Sequence, residues 1–182
     1  MKFFGRLAHS PSSINNCTLS LAYMSVLEYP SPLMRVATYL KPESVMLRPA
    51  ATDKWHLIEA LCRQLCESNG CTTKVTNDAL KAVLQREKSV STGMDGGLAV
   101  PHAAVEGLPG LMVGMAIMPD GLEFEAIDGS VTTVIVMILV PKTQKLGHLR
   151  LLAEVARRLS DLGFQQHMFA ASSTGQIVDL WL

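Results

Sequence analysis

The 182-residue chain has no excess of charge of either sign and few aromatic side chains. Sixteen basic residues balance sixteen acidic ones, and aromatic residues make up 5% of the sequence. A balanced chain creates no long-range field that attracts polyanions, which argues against nucleic-acid binding or docking on an anionic membrane as its main function. Its 48% of hydrophobic residues is typical of a globular domain with a large core.

Long hydrophobic runs are missing as well. The longest, VTTVIVMILV at residues 131–140, falls far short of the ~20 residues that a membrane-spanning helix requires. We therefore predict a buried strand at this run and no membrane span, and we expect a cytoplasmic protein.

The first 33 residues differ from the rest. Lys2 and Arg6 precede a mildly apolar segment that polar residues interrupt, and prolines follow it in place of a clean cleavage site. This pattern favours a poorly ordered N-terminal extension at residues 1–33, or an upstream start with Met34 as the more natural beginning. A signal peptide is the less favoured interpretation. Residues 34–182 are predicted to form one domain.

Cysteine is present, but without the spacings of a metal site. The chain contains Cys17, Cys62, Cys66 and Cys71, and it has neither a CxxC nor an HxxxH motif. Cys62 and Cys66 lie four residues apart on a predicted helix, a spacing that also suits a metal pair, but no second pair completes the set. We predict reduced, mostly buried thiols, with no metal and no cofactor.

Helical and strand-like segments alternate along the chain. A first helix is predicted from a cap at Thr52 or Asp53 to about Ser68, and a second one is capped by Thr76. Apolar segments predict strands near residues 98–102, 111–118 and 131–140, and a short strand or a turn near residues 43–50. A long helix over about 145–162, with an inward stripe that includes Leu149 and Ala153, precedes two short helices, the last of which is predicted to be capped by Thr174. This interleaving predicts an α/β fold in which helices cover a sheet.

One loop combines hydroxyls and glycines directly before an apolar segment that ends in Pro101 and His102. The backbone N–H groups of such a loop can converge on one point and form an anion-binding nest. The candidate phosphate-binding residues are Ser91, Thr92, Gly93, Gly96 and Gly97. The loop lacks the GK[ST] and GxGxxG signatures of nucleotide sites, and an ordinary turn is the alternative interpretation.

Two further residues fit the same chemistry. His148 falls in the first turn of the predicted long helix, where free N–H groups and the helix dipole stabilise an anion. Arg86 falls in the last turn of the preceding helix and offers a bidentate fork for phosphate. Each also has a purely structural interpretation. His148 can be an ordinary polar residue at the start of a helix, and Arg86 a cation that satisfies the carbonyls at the end of one. Together with His102 as nucleophile, they suit phosphoryl transfer.

At these residues the sequence resembles the fructose/mannitol-type (type 2) enzyme IIA family of the bacterial phosphotransferase system, and most of all its nitrogen-regulatory branch. The resemblance runs from about Met34 to the end of the chain. The segments that carry it are REKSVSTGMDGGLAVPH (86–102), FEAIDG (124–129) and VIVMILVPKTQKLGHLRLLAEVARRLSD (134–161). It implies a mixed central β-sheet flanked by helices on both faces.

The resemblance also implies a role for each candidate residue. His102 would be the phosphorylated histidine, His148 the second active-site histidine that donates a hydrogen bond, and Arg86 a holder of the phosphoryl group. The phosphate would arrive from a phosphorylated HPr-type carrier protein. It would leave to a sugar-specific enzyme IIB or serve as a regulatory mark. The sequence carries no IIB-like or membrane portion, which favours a regulator.

Some residues depart from the family pattern. Ala103 and Ala104 follow His102 where relatives often have glycine and a basic residue, and Asp95 puts an acid in the loop. These differences favour one alternative, an anion-sensing or protein-interaction module that carries out no catalysis. A metal-dependent hydrolase with His102 and His148 as ligands is a weaker alternative, because no third protein ligand is evident.

Overall fold

The computed structural model describes residues 35–182, apart from the side chains of residues 145–148, so the extension predicted for residues 1–33 lies outside the described residues. The helices are α1 (Val36–Tyr39), α2 (Lys54–Ser68), α3 (Thr73–Ser89), α4 (Lys145–Leu159), α5 (Leu162–Ala170) and α6 (Thr174–Trp181). The strands are β1 (Leu40–Leu47), β2 (Gly93–Met94), β3 (Leu98–Ala99), β4 (His102–Val105), β5 (Met112–Leu122) and β6 (Thr132–Pro141).

The six strands of this part of the chain form one mixed sheet. Its order is β1-β5-β6-β3-β2, with β4 also paired to β6. β5 and β6 form the central antiparallel pair, while β1 runs parallel to β5 and both β3 and β4 run parallel to β6. β4 therefore lies beside a central strand, and its first residue is His102.

Successive residues of the two central strands face opposite sides of the sheet, and each side buries its own core. One core contains Val113, Met115, Ile117, Val134, Val136 and Ile138, packed with residues of α1, α4, α5 and α6. The other contains Met112, Ala116, Met118, Ile135, Met137 and Leu139, packed with α2 and α3. The predicted mixed sheet with helices on both faces is confirmed.

Capping side chains set where the helices begin. Asp53 accepts hydrogen bonds from two backbone N–H groups at the start of α2, as predicted. The prediction for α3 was wrong by one turn, because Thr72 caps it and the Thr76 hydroxyl instead donates back to the Thr72 carbonyl. In the same way Ser173, rather than Thr174, caps α6.

The predicted inward face of α4 is wrong in part. Leu149 is 63% exposed and Ala153 is exposed, whereas Leu151, Val155 and Leu159 are buried. Leucines lie on adjacent faces of this helix, so the sequence fits two rotations about its axis. Packing against the β6 side of the sheet selects the face with the i, i+4, i+8 spacing of the buried three. Within the described part of the chain, no helix has the length and apolar character to cross a membrane.

The segment predicted as one strand ending at His102 is divided. β3 ends at Ala99 and β4 begins at His102, both paired in parallel with β6 and in the same register. The interruption at Val100 and Pro101 follows from proline, which has no N–H to donate to a neighbouring strand. His102 therefore opens a strand, and does not end one.

Candidate active site

The fold brings together two of the predicted site residues, Arg86 and His102. Arg86 lies in the last turn of α3, which packs against β4, where His102 is the first residue. The Arg86 Nε–H group donates to His102 Nε2 at 3.3 Å, and the Arg86 Nη1 atom donates to the Val90 carbonyl at 2.8 Å. Both bonds fix the guanidinium beside the imidazole.

The partners of His102 determine which ring nitrogen carries the proton. Nδ1 lies 2.7 Å from the Val100 carbonyl oxygen, which can only accept a hydrogen bond. Nδ1 therefore holds the proton and donates it to Val100. The neutral ring then has its lone pair on Nε2, which agrees with the N–H that Arg86 donates to that atom.

The half-buried position of His102 favours the neutral ring. Burial lowers the pKa of His102 below its ordinary value of 6.5, and the positive charge of Arg86 lowers the pKa further. The hydrogen bond to Val100 and the carboxylate of Glu87 act in the opposite direction and offset only part of this. At neutral pH, His102 thus presents an unprotonated Nε2.

An open groove of about 590 Å³ gives access to this nitrogen. Its lining residues are Ala82, Gln85, Arg86, Ser89, His102, Ala103, Ala104, Val140 and Leu149. The exposed Leu149, which was predicted to be inward, forms part of this wall. The backbone of His148 lies in the first turn of α4, one residue before Leu149. The His148 side chain lies outside the described residues, so its role stays a prediction.

The glycine loop donates several of its N–H groups to the protein itself. Thr92 N–H donates to both carboxylate oxygens of Glu87, at 3.1 and 3.2 Å. Gly93 N–H donates to the Ser91 hydroxyl at 3.2 Å, and Gly96 N–H donates to Asp128 at 3.3 Å. Any phosphate contact from these three groups requires the release of these bonds. The predicted phosphate-binding role of the loop stays a prediction.

Sequence reasoning missed the ion pair that lies behind the loop. Glu87 is 2% exposed, and Lys54, which is also buried, places its Nζ atom 3.5 Å from the Glu87 carboxylate. The Lys54 Nζ atom also lies 2.8 Å from the exposed Glu125. Because Glu and Lys at helix positions are ordinarily solvated, nothing in the local pattern distinguishes these two. The only signal in the sequence was the position of Glu87 directly after Arg86.

The three cysteines among the described residues lie away from the groove, in the second half of α2 and just after it, and Cys17 lies outside the described residues. Cys62 and Cys66 are buried thiols, and Cys71 is partly exposed. Contact with the Cys62 thiol lowers the pKa of Cys66 to about 7, and burial raises the pKa of Cys71 to about 11. Among the residues described, no group of three or more His, Cys, Asp or Glu side chains is arranged to hold a metal ion.

Comparison with known families gives a match over most of the chain. The family model for the "Phosphoenolpyruvate-dependent sugar phosphotransferase system, EIIA 2" matches residues 38–181. The matched region contains the Arg86–His102 pair, the glycine loop and the groove. It also contains Lys54 and Glu87, the buried pair behind the loop.

Individual relatives agree with this match. The nitrogen regulatory protein of Klebsiella oxytoca is 26% identical over 148 residues, which are 81% of this chain and 90% of that protein. The crystal structure of the nitrogen regulatory protein IIA-Ntr from Neisseria meningitidis has a TM-score of 0.73 at 22% identity, over 81% of this chain and 99% of that one. The mannitol enzyme IIA in a complex with phosphorylated mannitol enzyme IIB from Escherichia coli has a TM-score of 0.64 at 20% identity, over 78% and 96%. These two structures share the fold of this chain.

Proposed function

Because the chain belongs to the EIIA 2 family of the phosphoenolpyruvate-dependent sugar phosphotransferase system, we propose that it is a phosphocarrier that accepts a phosphoryl group on His102 Nε2. The observation that carries the proposal is the state of this one ring. Its Nδ1 proton is held by Val100, its Nε2 accepts from Arg86, and the residue lines an open groove. A neutral imidazole in this state is a competent nucleophile at neutral pH.

In the proposed step, the Arg86 Nε–H group releases His102 Nε2, and the lone pair of this nitrogen attacks the phosphorus of a phosphohistidine on the donor protein. The new N–P bond forms as the bond from phosphorus to the donor nitrogen breaks, and the electron pair of that bond returns to the donor ring. The His102 Nδ1–H group keeps its bond to the Val100 carbonyl, and a donor ring that carries a proton on its second nitrogen leaves as neutral imidazole, so no proton has to move between the proteins. With His102 as the donor, the same kind of step passes the group to the next acceptor.

Arg86 has the geometry to stabilise the transferred group. Its Nε–H group lies 3.3 Å from the attacking nitrogen, and its Nη1 atom is anchored on Val90. Charge on the phosphoryl oxygens in the transition state is spread over three atoms, and a guanidinium beside them supplies the electrostatic stabilisation on which phosphoryl transfer depends. We propose the same for His148, from the family resemblance.

We propose an HPr-type phosphocarrier as the donor and an enzyme IIB or a regulatory target as the acceptor, with exchange in the cytoplasm. The fold is shared with a mannitol enzyme IIA whose structure was determined in a complex with phosphorylated enzyme IIB. The groove is open at its surface, and its exposed Leu149 wall provides an apolar contact next to the reacting atom. The relatives named nitrogen regulatory protein favour regulatory output.

The test is phosphorylation of the full chain with a phosphorylated HPr-type donor, followed by intact-mass spectrometry and acid treatment. We expect one acid-labile phosphate per chain, none in His102→Ala, and transfer slowed about a hundredfold or more in Arg86→Ala. His56→Ala and His167→Ala are matched controls, because both histidines are exposed and lie outside the groove. Both controls should accept phosphate at the rate of the unmodified chain.

The outcome of this experiment distinguishes the carrier from a non-catalytic module. Phosphate on His102→Ala would place the acceptor elsewhere. If donors of the HPr type bind the chain but never transfer phosphate, and binding survives His102→Ala, the interaction-module alternative is correct and the carrier proposal is wrong.

A further inference from the structure

We infer that Glu87 is a positioning residue for phosphoryl acceptance, which it supports by fixing the chain segment that holds both nitrogens of His102. The inference rests on the proposed function, in which His102 Nε2 is the attacking atom. Glu87 lies next to Arg86 in α3 but points away from the groove into the interior, where it is 2% exposed. It does not touch the reacting atoms and acts through other groups.

Both oxygens of Glu87 are occupied by the start of the glycine loop. Oε1 accepts from Thr92 N–H at 3.1 Å and also lies 3.2 Å from the Ser91 hydroxyl, whose one proton is shared with the closer Phe124 carbonyl at 2.6 Å. Oε2 accepts from the Thr92 hydroxyl at 2.6 Å and from Thr92 N–H at 3.2 Å. The carboxylate thus fixes the position of Thr92 through three bonds and contacts Ser91 next to it. A burial of this depth makes each of these bonds costly to lose.

One connection leads from this carboxylate to His102 Nδ1. The Thr92 carbonyl accepts from Val100 N–H at 3.2 Å, and the Val100 carbonyl accepts from His102 Nδ1–H at 2.7 Å. The position of Thr92 therefore sets the position of the carbonyl that selects the tautomer of His102. Loss of that bond would allow the proton to occupy Nε2, the atom that must attack.

A second connection leads to Nε2 through Arg86. The Arg86 Nη1 atom is anchored on the carbonyl of Val90, the residue directly before the segment that Glu87 holds. The same guanidinium donates through Nε to His102 Nε2. A partner of each ring nitrogen is thus tied to a short segment, residues 90–92, in which Glu87 holds the last two residues.

A carboxylate is required here because both oxygens must accept. Glutamine in this place has one acceptor oxygen, so its NH₂ group must face either the Thr92 donors or the Ser91 hydroxyl and the Lys54 ammonium. Lys54, at 3.5 Å from Oε1, supplies the opposite charge that a buried carboxylate needs. Aspartate keeps two acceptor oxygens on a shorter side chain and is the conservative variant.

The experiment compares Glu87→Gln with Glu87→Asp in single-turnover phosphorylation by a phosphorylated HPr-type donor. For Glu87→Gln we expect a maximal rate lowered about tenfold to a hundredfold, with little change in the donor concentration at half-maximal rate. Glu87→Asp should recover part of the rate. The final amount of phosphate per folded chain should stay at one. A merely structural defect would instead lower that amount and leave the rate per active molecule unchanged. Glu125→Gln is the control, since Glu125 also contacts Lys54 but is exposed.

A second readout does not depend on any donor. In ¹⁵N NMR of the imidazole, the unmodified chain and Glu125→Gln should show His102 with its proton on Nδ1, and Glu87→Gln should show a mixture of the two tautomers. If the unmodified chain is never phosphorylated, the carrier proposal fails while this spectrum still tests the positioning role. Should Glu87→Gln not fold, Thr92→Val removes only the bond from the Thr92 hydroxyl, and a tautomer shift is expected there too. A normal rate together with an unchanged tautomer in the folded variants overturns the inference.

Discussion

The two ends of the glycine loop are held by carboxylates in opposite environments. At the first end, Glu87 is buried and accepts from Ser91 and Thr92 with Lys54 as its counter-charge. At the far end, Asp128 is exposed, accepts from Gly96 N–H at 3.3 Å and also binds Ser130. The bonds are of similar length, but only the buried ones lack competition from water. The comparison teaches that the first end is held more firmly, because its carboxylate accepts more bonds from the loop and is shielded from water.

Packing shows the same difference at the two glycines nearest these carboxylates. A Cβ on Gly93 would lie 2.9 Å from Ala126 Cα and 3.0 Å from the Phe124 carbonyl oxygen, both backbone atoms that cannot move aside. A Cβ on Gly96 would meet nothing within 4 Å, and only its positive φ of +76° opposes a side chain. The first glycine is required by contact, and the second by backbone conformation alone.

We expect the largest effect on stability from Gly93→Ala. Because the clash is with backbone, the substitution should lower the free energy of unfolding by about 3 kcal/mol. Gly96→Ala should lower it by about 1 kcal/mol, the cost of a left-handed conformation. Urea denaturation of both variants measures the two values. Equal losses would mean that the ends of the loop do not differ in rigidity.

The sequence predicted the layers of the fold because the relevant signals are local. Strand-like apolar runs and an aspartate cap place β5, β6 and α2 close to where the structure has them. The errors arose where two local solutions compete. Thr72 and Thr76 are both capable caps, and α4 has leucines on two adjacent faces, so tertiary packing decided between them.

The site was predictable in its groove-facing part and not behind it. Arg86 and His102 fall at element ends where chemistry is expected, and the structure brings them together. Glu87 and Lys54 have no such signal in the sequence. A charged residue on a helix is expected to be exposed to solvent, and only the tertiary contacts show that these two are buried. The bonds of the glycine loop to Glu87 and Asp128 depend on contacts of the same kind.

The next largest effect tests the counter-charge at the buried end. Lys54→Met leaves Glu87 buried without a cation, and we expect a loss of about 2 kcal/mol. This is less than a fully broken buried pair costs, because the bonds from Thr92 and Ser91 remain. In the double variant with Glu87→Gln, part of the loss should be recovered, and thermal unfolding measures this coupling. Strictly additive losses would show that the pair is not coupled.

The connection from the buried end to His102 gives a pH prediction. Burial and Arg86 lower the pKa of His102, so the ring stays neutral, with Nε2 unprotonated, at pH values somewhat below 6.5. The rate of phosphoryl acceptance should therefore hold its plateau below pH 6.5 and fall only at more acidic pH. Arg86→Ala removes one cause of the lowered pKa and should move the fall toward higher pH. A fall centred above pH 6.5 in the unmodified chain would contradict this.

The smallest effect is expected at the exposed end. In Asp128→Asn, the amide oxygen can keep the bonds from Ser130 while the NH₂ group faces Gly96, so only the tether to the loop is lost. The loss in melting temperature at neutral pH should be smaller than that of Gly96→Ala, because water replaces the acceptor at an exposed site.

The hydroxyl of Ser130, together with backbone N–H groups, lowers the pKa of Asp128 below 3.8. Its contribution is therefore present above pH 3.8 and is lost as the pH falls through the lower pKa of the folded state. The difference in melting temperature between the unmodified chain and Asp128→Asn should disappear in that acidic range. A larger loss than that of Gly96→Ala would show that exposure does not weaken this end, and the contrast with Glu87 would then have to come from Lys54 and from the larger number of bonds that Glu87 makes to the loop.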